Sequence, residues 1–237
     1  MPLDLDSVMR ELESLGTAHT RKSYLSRGVR EPLFGVATGA MKPLKKEIGI
    51  DQAMANALWE TGNYDAMYLA GMVADVSVMT EADFERWIDD SYGPMLSDHV
   101  VSVTLAESEL AQVVAGRWIR SEDETRAAAG WACYEWLLGW RPDSYFDVET
   151  IQALLELMAA TIHDAAPRVK RNMNSCLVAI GVSYLPLHNA ALSTADAIGH
   201  VEVVVDGVAK TLKSASEQIR AAEAKGRLGF KRRAVRC

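Results

Sequence analysis

The chain has 237 residues, 49% hydrophobic and 24% charged. That is enough to bury a sizeable core, and the composition excludes wholesale disorder and fibrous repeats. Net charge is −7 and mean hydropathy is −0.03; charges interrupt every apolar run before membrane-spanning length, which excludes a transmembrane helix.

Taken in chain order, the sequence reads as one amphipathic helix after another. The opening stretch, MPLDLDSVMRELESLG, is acidic, with Leu5, Met9 and Leu12 at helical spacing. It predicts a helix over 3–15 and not a secretory signal. Further helices are predicted over 51–60 and 64–74. Ser121 with Glu124 suits a capping box for a helix running through Trp131 to Leu138. Over 148–162, Ile151, Leu154, Leu155, Met158 and Ile162 share one face. Pro94, Pro167 and Pro186 fall where helices would begin. Candidate helices arrive about every 15–20 residues with short connections, as in degenerate helix-pair repeats. The segment HVEVVVDGVAKTL, residues 200–212, breaks this pattern. Its Asp206–Gly207 pair between two β-prone runs predicts a hairpin. A short helix over 214–225 comes next.

Charge is uneven along the chain. Residues 220–237 hold seven basic side chains against the single acid Glu223, a net +6, which leaves −13 for the rest. A basic end on an acidic body reads either as a phosphate-binding arm or as a solvated tail. No P-loop, HExxH, GxSxG or dinucleotide fingerprint is present. The five histidines lack ligand spacing, and the three cysteines, Cys133, Cys176 and Cys237, form no CxxC pair. Reduced thiols in a cytoplasmic protein without metal or cofactor are expected.

Four stretches in order resemble the DNA alkylation repair family, the HEAT-like alkylpurine DNA glycosylases. They are LFGVATGAMKPLKKEIG (Leu33–Gly49), ALWETGNYDAMYLAGMVAD (Ala57–Asp75, with Asp65 where the family often has Glu), EDETRAAAGW (Glu122–Trp131), and RVKRNMNSCLVAIG (Arg168–Gly181) running on to GRLGFKRRAVRC. The resemblance implies an all-α fold: a right-handed α-α superhelix of HEAT-like repeats, an ARM/HEAT-like solenoid, here with one small C-terminal β-hairpin. It implies one domain over 1–237, with the hairpin near 200–212 and a basic tail over 225–237. It also implies a monomer acting on double-stranded or branched DNA, cytoplasmic and nucleoid-associated when bound, with no membrane partner.

Family enzymes excise N3- and N7-alkylated purines. The leaving base is already cationic, so a carboxylate stabilises the developing oxocarbenium ion and positions water. Tryptophans surround the cation. The family's active-site helix corresponds here to SYGPMLSDHVV, which gives Asp98 as the carboxylate, with Tyr92 the nearest aromatic in place of a tryptophan. Arg126 matches the arginine beside the lesion. Ser175 and Val178 occupy positions where the enzymes carry Trp and Arg.

Each candidate also has a plainer reading. Asp98 is equally a helix-start carboxylate held by the macrodipole, and Arg126 a surface partner of Glu122. Lys170 and Arg171 open a helix where cations are dipole-unfavourable, which points to phosphate or simply to solvation. Asn174 is either a DNA contact or a local helix bond. Of the clustered tryptophans, Trp131 is assigned to the DNA-facing side and the others to the core. Lys231, Arg232 and Arg233 are the tail's phosphate candidates. The leading functional reading is a glycosylase using Asp98 and Arg126. The alternatives are a non-catalytic binder of branched or distorted DNA and a protein-interaction solenoid.

Overall fold

A computed structural model describes residues 3–205 and 207–236. Asp206 of the hairpin turn and Cys237 lie outside the described residues. The chain divides into two compact units. One runs to Leu110 and includes Arg236; the other is Ala111–Val235. Each is described by itself.

In the first unit, short polar caps set the helix starts. Asp4 accepts from the Ser7 N–H and opens α1 (Leu5–Leu15). Thr17 opens α2 (Ala18–Leu25), and α3 (Lys42–Ile48) comes after a 3₁₀ turn. Asp51 caps α4 (Gln52–Glu60), and Asn63 caps α5 (Tyr64–Val73). Thr80 and Asp83 form a reciprocal capping box on α6 (Glu81–Asp90). The helices predicted over 3–15, 51–60 and 64–74 are therefore present, with ends trimmed by one or two residues. Helix α5 is the centre of the unit: every residue but Tyr68 is buried. Trp59 of α4 and Trp87 of α6 stack at 4.2 Å, nearly parallel, and both are buried.

Two polar ties complete this unit. The buried Asp65 carboxylate accepts from the N–H groups of Phe34 (2.6 Å), Gly35 (2.9 Å) and Val36 (2.9 Å), fixing the extended segment before α3. At the other end of α5, the Arg236 guanidinium donates to the carbonyls of Gly71 (3.1 Å) and Ala74 (2.7 Å) and pairs with Glu107 at 2.6 Å. It thereby satisfies carbonyls that a helix end leaves open. Against the middle of α5 lies a wide, π-type helical turn, Met95–Val101, which runs into α7 (Ser102–Glu107). Gly71 lets Val100 approach, since a Cβ there would overlap its side chain.

The second unit is built on α9 (Glu124–Trp140) and α11 (Pro167–Ser183). Glu124 accepts from the Arg168 N–H, and Asn172 donates to the Ala128 carbonyl. Equal four-residue steps on both helices mean that they run side by side in the same direction. The helix start differs from expectation. Asp123, not Ser121, caps α9, because Ser121 is still needed to close α8 (Ala111–Trp118), where its N–H reaches the Trp118 carbonyl.

Gly130 of α9 is a contact point with the end of α8. A Cβ there would lie 2.8 Å from Ile119 N and 3.0 Å from the Ala115 carbonyl oxygen. Both are backbone atoms and cannot swing aside. Gly130→Ala is therefore expected to lower stability by about 2 kcal/mol in chemical unfolding, because overpacking outweighs the ~1 kcal/mol gain in helix propensity.

The predicted face of α10 (Val148–Thr161) is buried at Ile151, Leu154, Leu155 and Met158, and Ile162 just beyond it is buried too. Helix α12 (His188–Ile198) and α13 (Ala215–Ala224) complete the layer, with Gly181 admitting Ile219 of α13. Between them, β1 (Glu202–Val205) and β2 (Val208–Thr211) form the predicted antiparallel hairpin, with Val205 opposite Val208. Of β1, only Val203 is buried; all four residues of β2 are exposed. The hairpin is docked through one strand.

Candidate nucleic-acid interface

In the first unit, Asp98 sits in the wide helical turn, 6% exposed, and accepts from Ser97 Oγ at 2.7 Å. It lies in the first turn of that element, where the macrodipole favours a negative charge. Tyr92, three residues before Met95, donates its hydroxyl to the Gly62 carbonyl at 3.1 Å. Arg30 lies 5.5 Å from its ring centroid. Burial pushes the Tyr92 phenol up to about 12. With Tyr24, Tyr64, Arg27, Pro94 and Met95, Tyr92 lines a cavity of about 190 Å³.

The aromatic side chains lining this cavity are tyrosines, and among the described residues no tryptophan lines it. Trp59 and Trp87 stack on each other, and Trp118 and Trp131 are buried. Trp136 lies under Arg232 at 4.2 Å, and Trp140 under Arg141 at 4.3 Å. All six tryptophans are committed to contacts inside the fold.

The predicted DNA-contacting cations all lie in the second unit. Arg126 is half-buried in the first turn of α9, where its N–H meets the Asp123 carboxylate. Asp98 and Arg126 belong to different units. Arg171 is exposed on α11, one turn before Ser175.

Several expected contacts turn inward. Trp131 is fully buried and cannot stack on a base. Trp136, five residues on and about 140° around the helix, and Trp140 are the half-exposed tryptophans of α9. Asn174 is 8% exposed, and its amide donates to the Lys213 carbonyl. The Lys231 ammonium donates to the Leu138 carbonyl at 2.8 Å and pairs with Asp143 at 2.9 Å. Lys170 donates to the Glu202 carbonyl at 3.2 Å and so holds the hairpin base to α11. These side chains build the frame around the hairpin and tail.

The tail returns across α9 and α11. Gly229 donates to the Val182 carbonyl and Arg232 N–H to the Gly139 carbonyl. Here a groove of about 700 Å³ opens, lined by Ser175, Val178, Lys225, Arg227, Phe230 and Arg232 among others. Ser175 and Val178, the small replacements for the family's Trp and Arg, therefore form part of its lining. Lys225, Arg227 and Phe230 were not singled out from sequence. The signal was there: Gly226 (φ +62°) and Gly229 (φ +72°) bracket a tight turn that puts the neighbouring Arg227 and Phe230 on display.

Among the described residues, no group of His, Cys, Asp or Glu is arranged to hold a metal ion, and no single helix is long and apolar enough to cross a membrane. Cys133 and Cys176 are buried free thiols, raised by burial.

Comparison with known proteins agrees with this geometry. A solved structure described as "A new family of proteins related to the HEAT-like repeat DNA glycosylases with affinity for branched DNA structures" is 51% identical, with a TM-score of 0.95, over 99% of this chain and 100% of that one. The fold is thus an all-α, HEAT-like repeat fold with one added hairpin. Two uncharacterized proteins, Lin0241 of Listeria innocua serovar 6a and Lmo0209 of Listeria monocytogenes serovar 1/2a, are 23% and 22% identical over 208 residues, 85% of this chain and 89% of each relative. The family model described as DNA alkylation repair enzyme matches residues 6–216, and the chain belongs to that family.

Proposed function

We propose that this protein binds branched DNA and does so without excising a base. The observation that carries the reading is the hairpin docked by one strand. An isolated hairpin is marginal in water, yet β2 is exposed along its whole length, with Val204 and Val208, on opposite faces of the ribbon, 57% and 56% exposed and Lys210 on the same face as Val208. Apolar side chains on a protruding ribbon act as wedges against base steps, and branch points offer steps that are already open. The solved relative at 51% identity, whose own description gives affinity for branched DNA, supports the same reading. The protein acts as a monomer in the cytoplasm, on nucleoid DNA, without metal or cofactor.

Excision has one feature in its favour. Wide turns within helices concentrate at functional sites, and Asp98 occupies one. Against it stands the chemistry. A cationic purine needs aromatic faces around it, and the tryptophans are engaged elsewhere.

Two measurements on the full chain test the proposal. A four-way junction is expected to bind at least about tenfold tighter than linear duplex of the same length, a gap of ~1.4 kcal/mol. Replacing Val204 and Val208 with serine is expected to shrink that gap and leave linear-duplex affinity unchanged. Under single turnover, duplex carrying N7-methylguanine is expected to release no base. Release that disappears in Asp98→Asn would establish the excision reading in its place.

A further inference from the structure

We propose that the groove over α9, α11 and α13 is a binding site for one unpaired nucleotide of the bound DNA, with the Phe230 ring stacking on its base. The inference rests on the branched-DNA reading and names the part of the branch that is gripped.

Phe230 is 66% exposed, the one aromatic among the exposed large hydrophobic side chains of the described residues. A lone exposed apolar residue needs no explanation in general. This one is held in place from both sides. Before it, Gly229 donates to the Val182 carbonyl at 2.8 Å; after it, Lys231 is fastened to Leu138 and Asp143, and Arg232 N–H reaches the Gly139 carbonyl at 2.7 Å. The backbone is fixed while the ring stands out, so little freedom remains to be lost on stacking.

The surroundings suit a nucleotide. Lys225 and Arg227 are exposed on the rim. The Arg232 guanidinium lies over the Trp136 ring at 4.2 Å, which places a third positive charge in the wall. Small side chains such as Ser175, Ala179 and Ala222 line the groove. Its volume of about 700 Å³ falls within the ~300–1,000 Å³ of small-ligand clefts. Ser183 and Gln218 offer polar atoms to a base edge. An aromatic ring can stack only on a base face that is not already stacked, and unpaired nucleotides supply one. Rim cations with a displayed ring are the combination that single-stranded binders use.

The test measures affinity at fixed salt for four ligands: a linear duplex, a fully paired four-way junction, the same junction with two unpaired thymidines at the branch, and a single-stranded thymidine dodecamer. The wild type is expected to favour the junction with unpaired thymidines over the paired one. Phe230→Ala is expected to weaken binding of that junction and of the dodecamer about tenfold, within the range for one lost base stack, and to leave the paired junction unchanged. Phe230→Trp is expected to restore the loss. Phe230→Ala removes an exposed side chain, and unchanged circular dichroism would verify its fold. Equal affinity of wild type and Phe230→Ala for both unpaired ligands would overturn the proposal, as would a wild type indifferent to unpaired thymidines. Junctions that bind no tighter than linear duplex would instead sink the branched-DNA reading. The dodecamer arm then decides the groove alone: Phe230-dependent binding keeps it as a nucleotide site, and absent or Phe230-independent binding removes it.

Discussion

Asp65→Asn is expected to lower the stability of the first unit by about 4 kcal/mol, because a buried N–H left without its acceptor costs roughly 1–3 kcal/mol. The Asp65 carboxylate receives three backbone N–H groups from Phe34, Gly35 and Val36. An asparagine of the same shape offers one oxygen and turns an NH₂ group toward the remaining donors. Phe34 to Val36 would then be released from α5, and with them the approach to α3. Urea unfolding followed by circular dichroism measures the loss. The pH dependence is a second readout. Burial raises the Asp65 carboxyl above its ordinary 3.8, while the N–H groups of Gly35, Val36 and Phe34 pull it back. On acidification the folded carboxyl therefore takes up its proton before the unfolded one does. The stability of wild type relative to Asp65→Asn is expected to rise as pH falls through the folded value and to level off below 3.8.

Junction binding is expected to weaken about 500-fold between 50 and 200 mM salt. Five of the second unit's exposed cations are assigned to DNA phosphates: Arg171, Lys210, Lys225, Arg227 and Arg233. If each displaces one counterion, the logarithmic slope is about −4.5. Neutralising any one of them, as in Arg227→Gln, is expected to flatten the slope by about one and to weaken all DNA ligands alike. Lys231→Gln is expected to leave the slope unchanged. Its ammonium already serves Leu138 and Asp143, so its loss registers in stability. A slope near zero would remove backbone contact from the account altogether.

That contrast between Arg227 and Lys231 marks the boundary of what was legible. Local rules carried the elements. The apolar spacing of 148–162 gave α10, and the Asp206–Gly207 pair flanked by β-prone runs gave the hairpin. Both arise from contacts close in sequence. Which member of a basic run faces water is decided by partners far away in the chain. Lys231 meets residues 93 positions earlier, and nothing in GRLGFKRRAVRC announces that. Trp131 failed for a related reason. Helix α9 is buried from Ala127 through Tyr134, so its periodicity names no outward face. The Ser121 cap failed because two helices compete for one short connection. The positions of Ser175 and Val178 were placed by resemblance, but the groove they line depends on a tail that returns from fifty residues downstream.

The hairpin's open flank carries a consequence for self-association. A strand with unpaired N–H and C=O groups is a template for any other extended chain, including a second copy of itself. β2 is such an edge, and its exposure is what the ligand reading requires. Two features restrain it. The strand is only four residues long, and Lys210 stands within it opposite Val203, so a second copy laid along it would bring like charges together. The lysine that would meet a polyanion thus also discourages pairing between copies, and one side chain lets the edge stay accessible.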